Sequence, residues 1–202
     1  LRHGGNLLGY MWALNFNVEN VLKIKETLEL TTFFLASEIS NYLLLDKLKI
    51  LSTIDTLTSV RNRNEMNNRV DRIVAGNEPV PQGVLFADLN GLKRVNDEQG
   101  HAAGDKMLRK AASILQSVFH DGEVFRAGGD EFMIIVSKIA EDEVRRRVDQ
   151  VHYLSKITED VRFSVGVCYG ESDIRTAMRL ADERMYADKK SYYDAFPGLK
   201  YR

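Results

Sequence analysis

The stretch FRAGGDEFMIIV, residues 125 to 136, constrains this chain more than any other. An apolar run ending at Arg126 and a second one beginning at Phe132 are separated by a short segment holding Gly128, Gly129, Asp130 and Glu131. Two strand-like runs joined through so few residues, with glycine between them, fold back on each other as a hairpin. Asp130 and Glu131 then stand side by side at its tip. Adjacent acids repel, and a cation held between them is one reason to tolerate the pair. A plain polar turn is the other reading. Gly128 and Gly129 leave the backbone open, so its N–H groups can meet the oxygens of a phosphate.

The rest of the chain supplies a sheet for this hairpin to join. GVLFADL (83 to 89) reads as a buried strand that ends in Asp88 and Leu89. If it neighbours the hairpin, the carboxylates of Asp88 and Asp130 converge at one end of the sheet, where Mg²⁺ can be held beside a substrate phosphate. Residues 103 to 119 have helical periodicity, with Met107, Leu108, Ala111, Ile114, Leu115 and Val118 inward. A charged helix at about 140 to 156, the strand VRFSVGVCYG and a last helix, DIRTAMRLADERMYADKKSYY, come next along the chain. Such alternation predicts a sheet covered by helices on at least one face. Cys168 falls within the strand pattern and reads as core packing.

Between Asp88 and Asp105 the chain is unusually polar: DLNGLKRVNDEQGHAAGD gathers Asp88, Asn90, Lys93, Asn96, Asp97, His101 and Asp105. Asn offers donor and acceptor and Asp offers acceptors, a combination that matches a guanine edge. Lys93 can meet a phosphate as a point charge. Asp97 reads as a helix cap and His101 as a hydrogen-bonded scaffold residue.

Upstream, residues 18 to 52 contain no Pro or Gly and place Val21, Ile24, Leu28, Leu35, Tyr42 and Leu45 at helical spacing, with Leu44, Leu48 and Leu51 in an adjacent row. This narrow stripe suits either a two-helix seam between chains or packing against an upstream domain; Thr31 and Glu38 interrupt it. LLGYMWALNF (7 to 16) reads as a single strand, with Tyr10 and Trp12 packed in a sheet. GNEPVPQG, with Gly76, Pro79, Pro81 and Gly83, ends a short helix. The start lacks an initiator Met, so the chain reads as a fragment whose second unit is under way by Asp55.

Net charge is −1 over 202 residues, so nothing advertises nucleic acid or an anionic membrane as the partner. One cysteine excludes an internal disulfide framework and makes a cytoplasmic location the default. LTTFFLASEISNYLLL is broken by Glu38 and Asn41, short of the ~18 apolar residues a membrane span needs.

DTLTSVRNRNEMNNR, FADLNGLKRVND, GHAAGD, FRAGGDEF, FSVGV and ADERMYADKK, in this order, resemble the GGDEF domain of diguanylate cyclases over residues 53 to about 193. Residues 1 to 17 are similar to the last strand of a GAF-like sensor domain, with residues 18 to 52 as a signalling helix. The resemblance implies an α+β fold with a central, mostly antiparallel sheet covered by helices, preceded by that long helix. It also implies the activity: one GTP per protomer, two protomers facing each other, and each ribose 3′-hydroxyl attacking the α-phosphorus of the opposite GTP. Cyclic di-GMP and two pyrophosphates result. By motif, Asp88, the Leu89 carbonyl, Asp130 and Glu131 hold Mg²⁺ or Mn²⁺, and Asp130 helps deprotonate the attacking hydroxyl. Asn96 and Asp105 read guanine, and Lys93 and Lys189 face phosphate. Gly128 and Gly129 admit the nucleotide to the hairpin. Arg126 is either a structural or a phosphate-side charge. The homodimer would form through the helix and the facing cyclase domains.

Two departures stand out. Family members often carry an Arg-x-x-Asp pair five residues before the signature, where product binds and inhibits; here the stretch is Phe119-His120-Asp121-Gly122, and that site is expected to be absent. Where the family tends to place an Arg four residues after the phosphate-facing Lys, this chain has Tyr193.

Overall fold

The computed structural model describes residues 1–3, 5–15, 17–158 and 161–196, which divide into two units, 1–51 and 52–202. In the first unit, β1 (Arg2–His3) and β2 (Asn6–Leu7) form a minimal antiparallel pair. The expected strand over 7 to 16 is corrected: beyond Leu7 the described residues up to Asn15 make no ladder, Tyr10 and Trp12 are 75% and 72% exposed, and Phe16 lies outside the described residues. Leu1 still bonds the Leu8 N–H and the Gly9 carbonyl, and past these strand-prone composition alone does not hold a strand. A 3₁₀ turn (Val18–Asn20), capped by the Asn17 side chain on the Glu19 N–H, leads into α1 (Val21–Thr53). The inward stripe of α1 includes Ile24 and Leu28 as expected but continues through Thr32, Ala36 and Ser40; Val21, Leu35, Tyr42 and Leu45 are exposed instead. Leu44, Leu48 and Leu51 are also exposed.

The second unit begins with a short loop and α2 (Arg63–Val74), which Asn62 caps through its side chain on the Glu65 N–H. After the Pro-containing break come β3 (Gly83–Leu89), α3 (Leu92–Gln99), α4 (His101–Val118), β4 (Glu123–Arg126), β5 (Glu131–Val136), α5 (Glu141–Ile157), β6 (Phe163–Tyr169) and α6 (Ile174–Ala195). The sheet order is β4-β5-β3-β6, and every pairing is antiparallel, so the α+β architecture expected from the sequence is present. Both faces of the sheet are covered: Leu85, Ala87, Phe132 and Ile134 pack with α4, and Val84, Met133 and Ile135 pack with α2 and α6. Cys168 is buried there, as expected.

Two glycines position the elements around the sheet end. Gly100, at φ 85°, splits the polar stretch into α3 and α4, because an L side chain rarely adopts that backbone; Asp97 therefore lies within α3 and caps nothing. Gly166 lets α6 lie directly on β6: a Cβ there would stand 2.0 Å from the Ala181 carbonyl oxygen and 2.2 Å from the Met185 nitrogen. This close approach carries the C-terminal half of α6 to the end of β3.

Candidate active site

The register sets β3 and β5 side by side with Asp88 opposite Glu131, and the Leu89 N–H donates to the Asp130 carbonyl at 2.9 Å. The acids of the two strands therefore meet at one sheet end, as the sequence predicted. Asp88 is buried at 2% exposure and its Oδ2 accepts from Lys189 Nζ at 2.8 Å, while its Oδ1 has no hydrogen-bond partner. Burial pushes the Asp88 carboxyl above the ordinary carboxylate range; Lys189 pulls it back and the charges of Asp130 and Glu131 push it further up. Beside it, Asn90 is buried, exchanging hydrogen bonds with Ser164 at 2.9 and 3.2 Å and fixing the turn after β3.

A cleft of about 1110 Å³ opens over this point. Asp88, Leu89, Lys93, Asp130, Glu131 and Lys189 all line it, so most of the residues expected to handle phosphate and cation are brought together. Asn96 and Asp105 lie elsewhere. Both are half-buried in the α3–α4 hairpin, where Gly104 leaves room for the Asn96 side chain: a Cβ there would meet Asn96 Oδ1 at 2.0 Å. Gly128 and Gly129 are also outside the cleft walls, although a Cβ on Gly129 would meet nothing within 4 Å, so the approach to that backbone is open.

Arg126 makes structural bonds at the hairpin tip. Its Nε and Nη2 donate to the Gly129 carbonyl at 3.2 and 2.7 Å, and its Nη1 donates to the Asp55 carboxylate at 3.1 Å. Asp55 also accepts from the Thr58 hydroxyl and N–H, at 2.6 and 2.9 Å. The hairpin tip is thus tied to the loop that opens the second unit. Where the family's Arg-x-x-Asp pair would fall, Phe119 is buried and Asp121 pairs with Arg147.

Sequence reasoning missed the far wall of the cleft, formed by His152, Ser155 and Lys156 of α5, Arg162 and Phe163 at the start of β6, and Tyr192 and Phe196 at the end of α6. Tyr193 lies there too; burial raises its hydroxyl pKa, against which Lys189 and a hydrogen bond to the Gly91 backbone work. Among the described residues, no three His, Cys, Asp or Glu side chains close into a metal-holding group. The donor chemistry nevertheless fits a hard divalent cation: carboxylate oxygens from two adjacent strands, one of them buried without a partner, and a lysine ammonium already drawn to the same carboxylate.

The fold and the site define a palm-like α+β domain whose sheet ends in acids under a helix that carries Lys189. Residues 52–194 match the family model described as diguanylate cyclase, GGDEF domain, and the chain belongs to that family. It is similar to the cyclic di-GMP phosphodiesterase PdeR of Escherichia coli (strain K12), 30% identical over 158 residues that cover 72% of this chain and 24% of that protein. It is also similar to the diguanylate cyclase DgcZ of the same organism, 32% identical over 155 residues that cover 71% of this chain and 52% of that protein. The coiled coil and GGDEF domain of DgcB from Caulobacter crescentus, in complex with c-di-GMP, superposes with a TM-score of 0.65 at 25% identity, covering 82% of this chain and 95% of that one. The chain spans between about a quarter and about half the length of these two curated relatives. Among the described residues, no helix is long and apolar enough to cross a membrane.

Proposed function

We propose that this chain is the output module of a signalling protein and condenses two GTP into cyclic di-GMP and two pyrophosphates. The observation that carries the reading is Asp88: a buried carboxylate with one unpartnered oxygen, beside two further acids and under Lys189. Asp88, the Leu89 carbonyl, Asp130 and Glu131 would hold Mg²⁺ or Mn²⁺, which when bound supplies charge neutralisation at the attacking and leaving oxygens. Asp130, at the hairpin tip, accepts the proton of the attacking 3′-hydroxyl. Lys189 and Lys93 meet phosphate oxygens, and phosphoryl transfer leaves the protein little else to do than position and neutralise. Asn96 and Asp105 hold guanine on the α3–α4 hairpin. A second copy completes the site and docks through the exposed apolar residues of α1, such as Leu44, Leu48 and Leu51. Residues 1 to 17 are the end of an upstream GAF-like sensor, and the supply of GTP puts the module in the cytoplasm.

A second reading is a GTP-binding module that regulates a partner domain without turnover. The match to PdeR, a cyclic di-GMP phosphodiesterase by name, favours it, as does Tyr193 in the place of a phosphate-side Arg. The test is incubation of purified protein with GTP and Mg²⁺ at several protein concentrations, with products separated by chromatography. Cyclic di-GMP formed with more than first-order dependence on protein supports the cyclase. GTP binding without product at any concentration supports the regulator. Asp130→Ala abolishes turnover and leaves the thermal melt unchanged, since a hairpin tip at the surface contributes little packing; turnover retained by that variant refutes the assignment of Asp130.

A further inference from the structure

The two walls of the cleft differ in chemistry. Its carboxylates, those of Asp88, Asp97, Glu98, Asp130 and Glu131, come from β3, α3 and the hairpin tip. The opposite wall, built by α5, β6 and α6, carries Lys156, Arg162 and Lys189 with His152 and, among the described residues, no carboxylate. Its aromatic rings cluster at one rim: Tyr192 stands edge-on to Tyr193 at 5.2 Å between centroids and tilted to Phe196 at 5.2 Å. The floor, with Leu89, Val95, Met107 and Phe163, is apolar.

This rear part lies across α3 from the residues assigned to guanine. Successive helical residues turn by about 100°, so Arg94 and Glu98, each two positions from Asn96, point to the other side of the helix. Those two line the cleft and form an ion pair at 3.2 Å, while Asn96 faces Gly104. Arg162 is also preset. Its Nη1 donates to the Thr158 carbonyl at 3.2 Å and to those of Ser155 and Val161, which ties the guanidinium at the end of α5 before any ligand arrives. A preordered cation gives up less side-chain freedom on binding.

From this arrangement we propose a second ligand site at the rear of the cleft, taking a nucleoside phosphate whose phosphate meets Lys156 and Arg162 and whose ring stacks against Tyr192 and Phe196. Rings of this kind stack on any base, and among the described residues this wall places no amide or acid against a base edge, so the site is expected to accept adenine and guanine alike. It uses neither Asp130 nor the guanine-reading pair, and so stands apart from the cyclase reading.

The test is calorimetric titration of the whole chain with AMP, and separately with inorganic phosphate, without divalent cation or GTP. One AMP is expected to bind per chain, more tightly than phosphate because the ring contributes. Lys156→Glu and Tyr192→Ala are each expected to weaken AMP by about tenfold or more. Lys156 is exposed, so that variant folds. Asp105→Ala is expected to leave AMP binding unchanged. AMP binding that is lost in Asp105→Ala and kept in Lys156→Glu would place it at the guanine pair and overturn the proposal, as would no binding of AMP or equal binding of AMP and phosphate. None of these readouts requires turnover, so failure of the cyclase assay and failure of this site are separable.

Discussion

Replacing Gly166 by alanine tests whether the active site depends on how closely α6 lies on β6. The added Cβ would stand 2.0 Å from the Ala181 carbonyl oxygen and 2.2 Å from the Met185 nitrogen. Both are backbone atoms, so no rotamer change relieves the clash. Ordinary contact begins near 3.4 Å, and 3.4 minus 2.0 leaves 1.4 Å by which the helix must retreat. Gaps of that size forfeit a large share of the dispersion along the buried face of Ile174, Ala177, Ala181 and Met185. Overpacking ordinarily costs about 1–3 kcal/mol, and a clash against backbone belongs at about 3 kcal/mol or above. For a unit of this size that lowers Tm by about 6–12 °C. Lys189 lies one helical turn beyond Met185, so a retreat along the Lys189–Asp88 direction stretches their 2.8 Å contact to about 4.2 Å, beyond hydrogen-bond length. The assay is a thermal melt paired with GTP turnover. A Gly166→Ala protein that melts within about 2 °C of the parent and turns over at the parent's rate would refute the reasoning.

Arg126→Ala removes the ties to Asp55 and to the Gly129 carbonyl and is expected to cost about 2–3 kcal/mol in urea unfolding, with a fall in turnover as the tip loosens; an unchanged midpoint would show that the tip holds itself. Burial raises the Asp55 carboxyl, but the hydrogen bonds from Thr58 and the charge of Arg126 outweigh it and hold the carboxyl below its usual range. A depressed folded pKa gives stability that is present above the unfolded value, near 3.8, and lost as pH falls through the folded one. Melts between pH 6 and pH 3 are therefore expected to show a steeper acid loss in the parent than in Asp55→Asn, and parallel curves would contradict this. With Phe119 buried and Asp121 engaged by Arg147, cyclic di-GMP is expected not to inhibit tightly, and submicromolar inhibition would overturn that reading of residues 119 to 122.

What could be read in the sequence depended on whether the signal was local. The 83–89 strand carries its own apolar run and ends in its own acid, and the hairpin carries its own turn, so both were legible residue by residue. Their adjacency was a conditional that only the sheet order resolves. Arg126 showed its charge but not its partner, because Asp55 lies 71 positions away. The far wall of the cleft was illegible for the same reason: His152, Lys156, Arg162 and Tyr192 each look like ordinary surface residues within their own elements, and they line one cleft only once α5, β6 and α6 have folded against the sheet. Residues 8 to 15 show the opposite failure, a strand-like composition with no ladder.

The bonds around Asp55 also bear on where this chain can be re-spliced. Ile54 bridges to Arg61, Arg61 bridges in parallel to Phe125 on the edge strand β4, and the Asn62 N–H donates to the Thr53 carbonyl. Residues 54 to 62, between α1 and α2, serve as an outer hem of the sheet. A chimera joined inside that hem would keep every residue of the acid-tipped hairpin and still lose the anchor of its tip, so the usable junction lies upstream of Ser52.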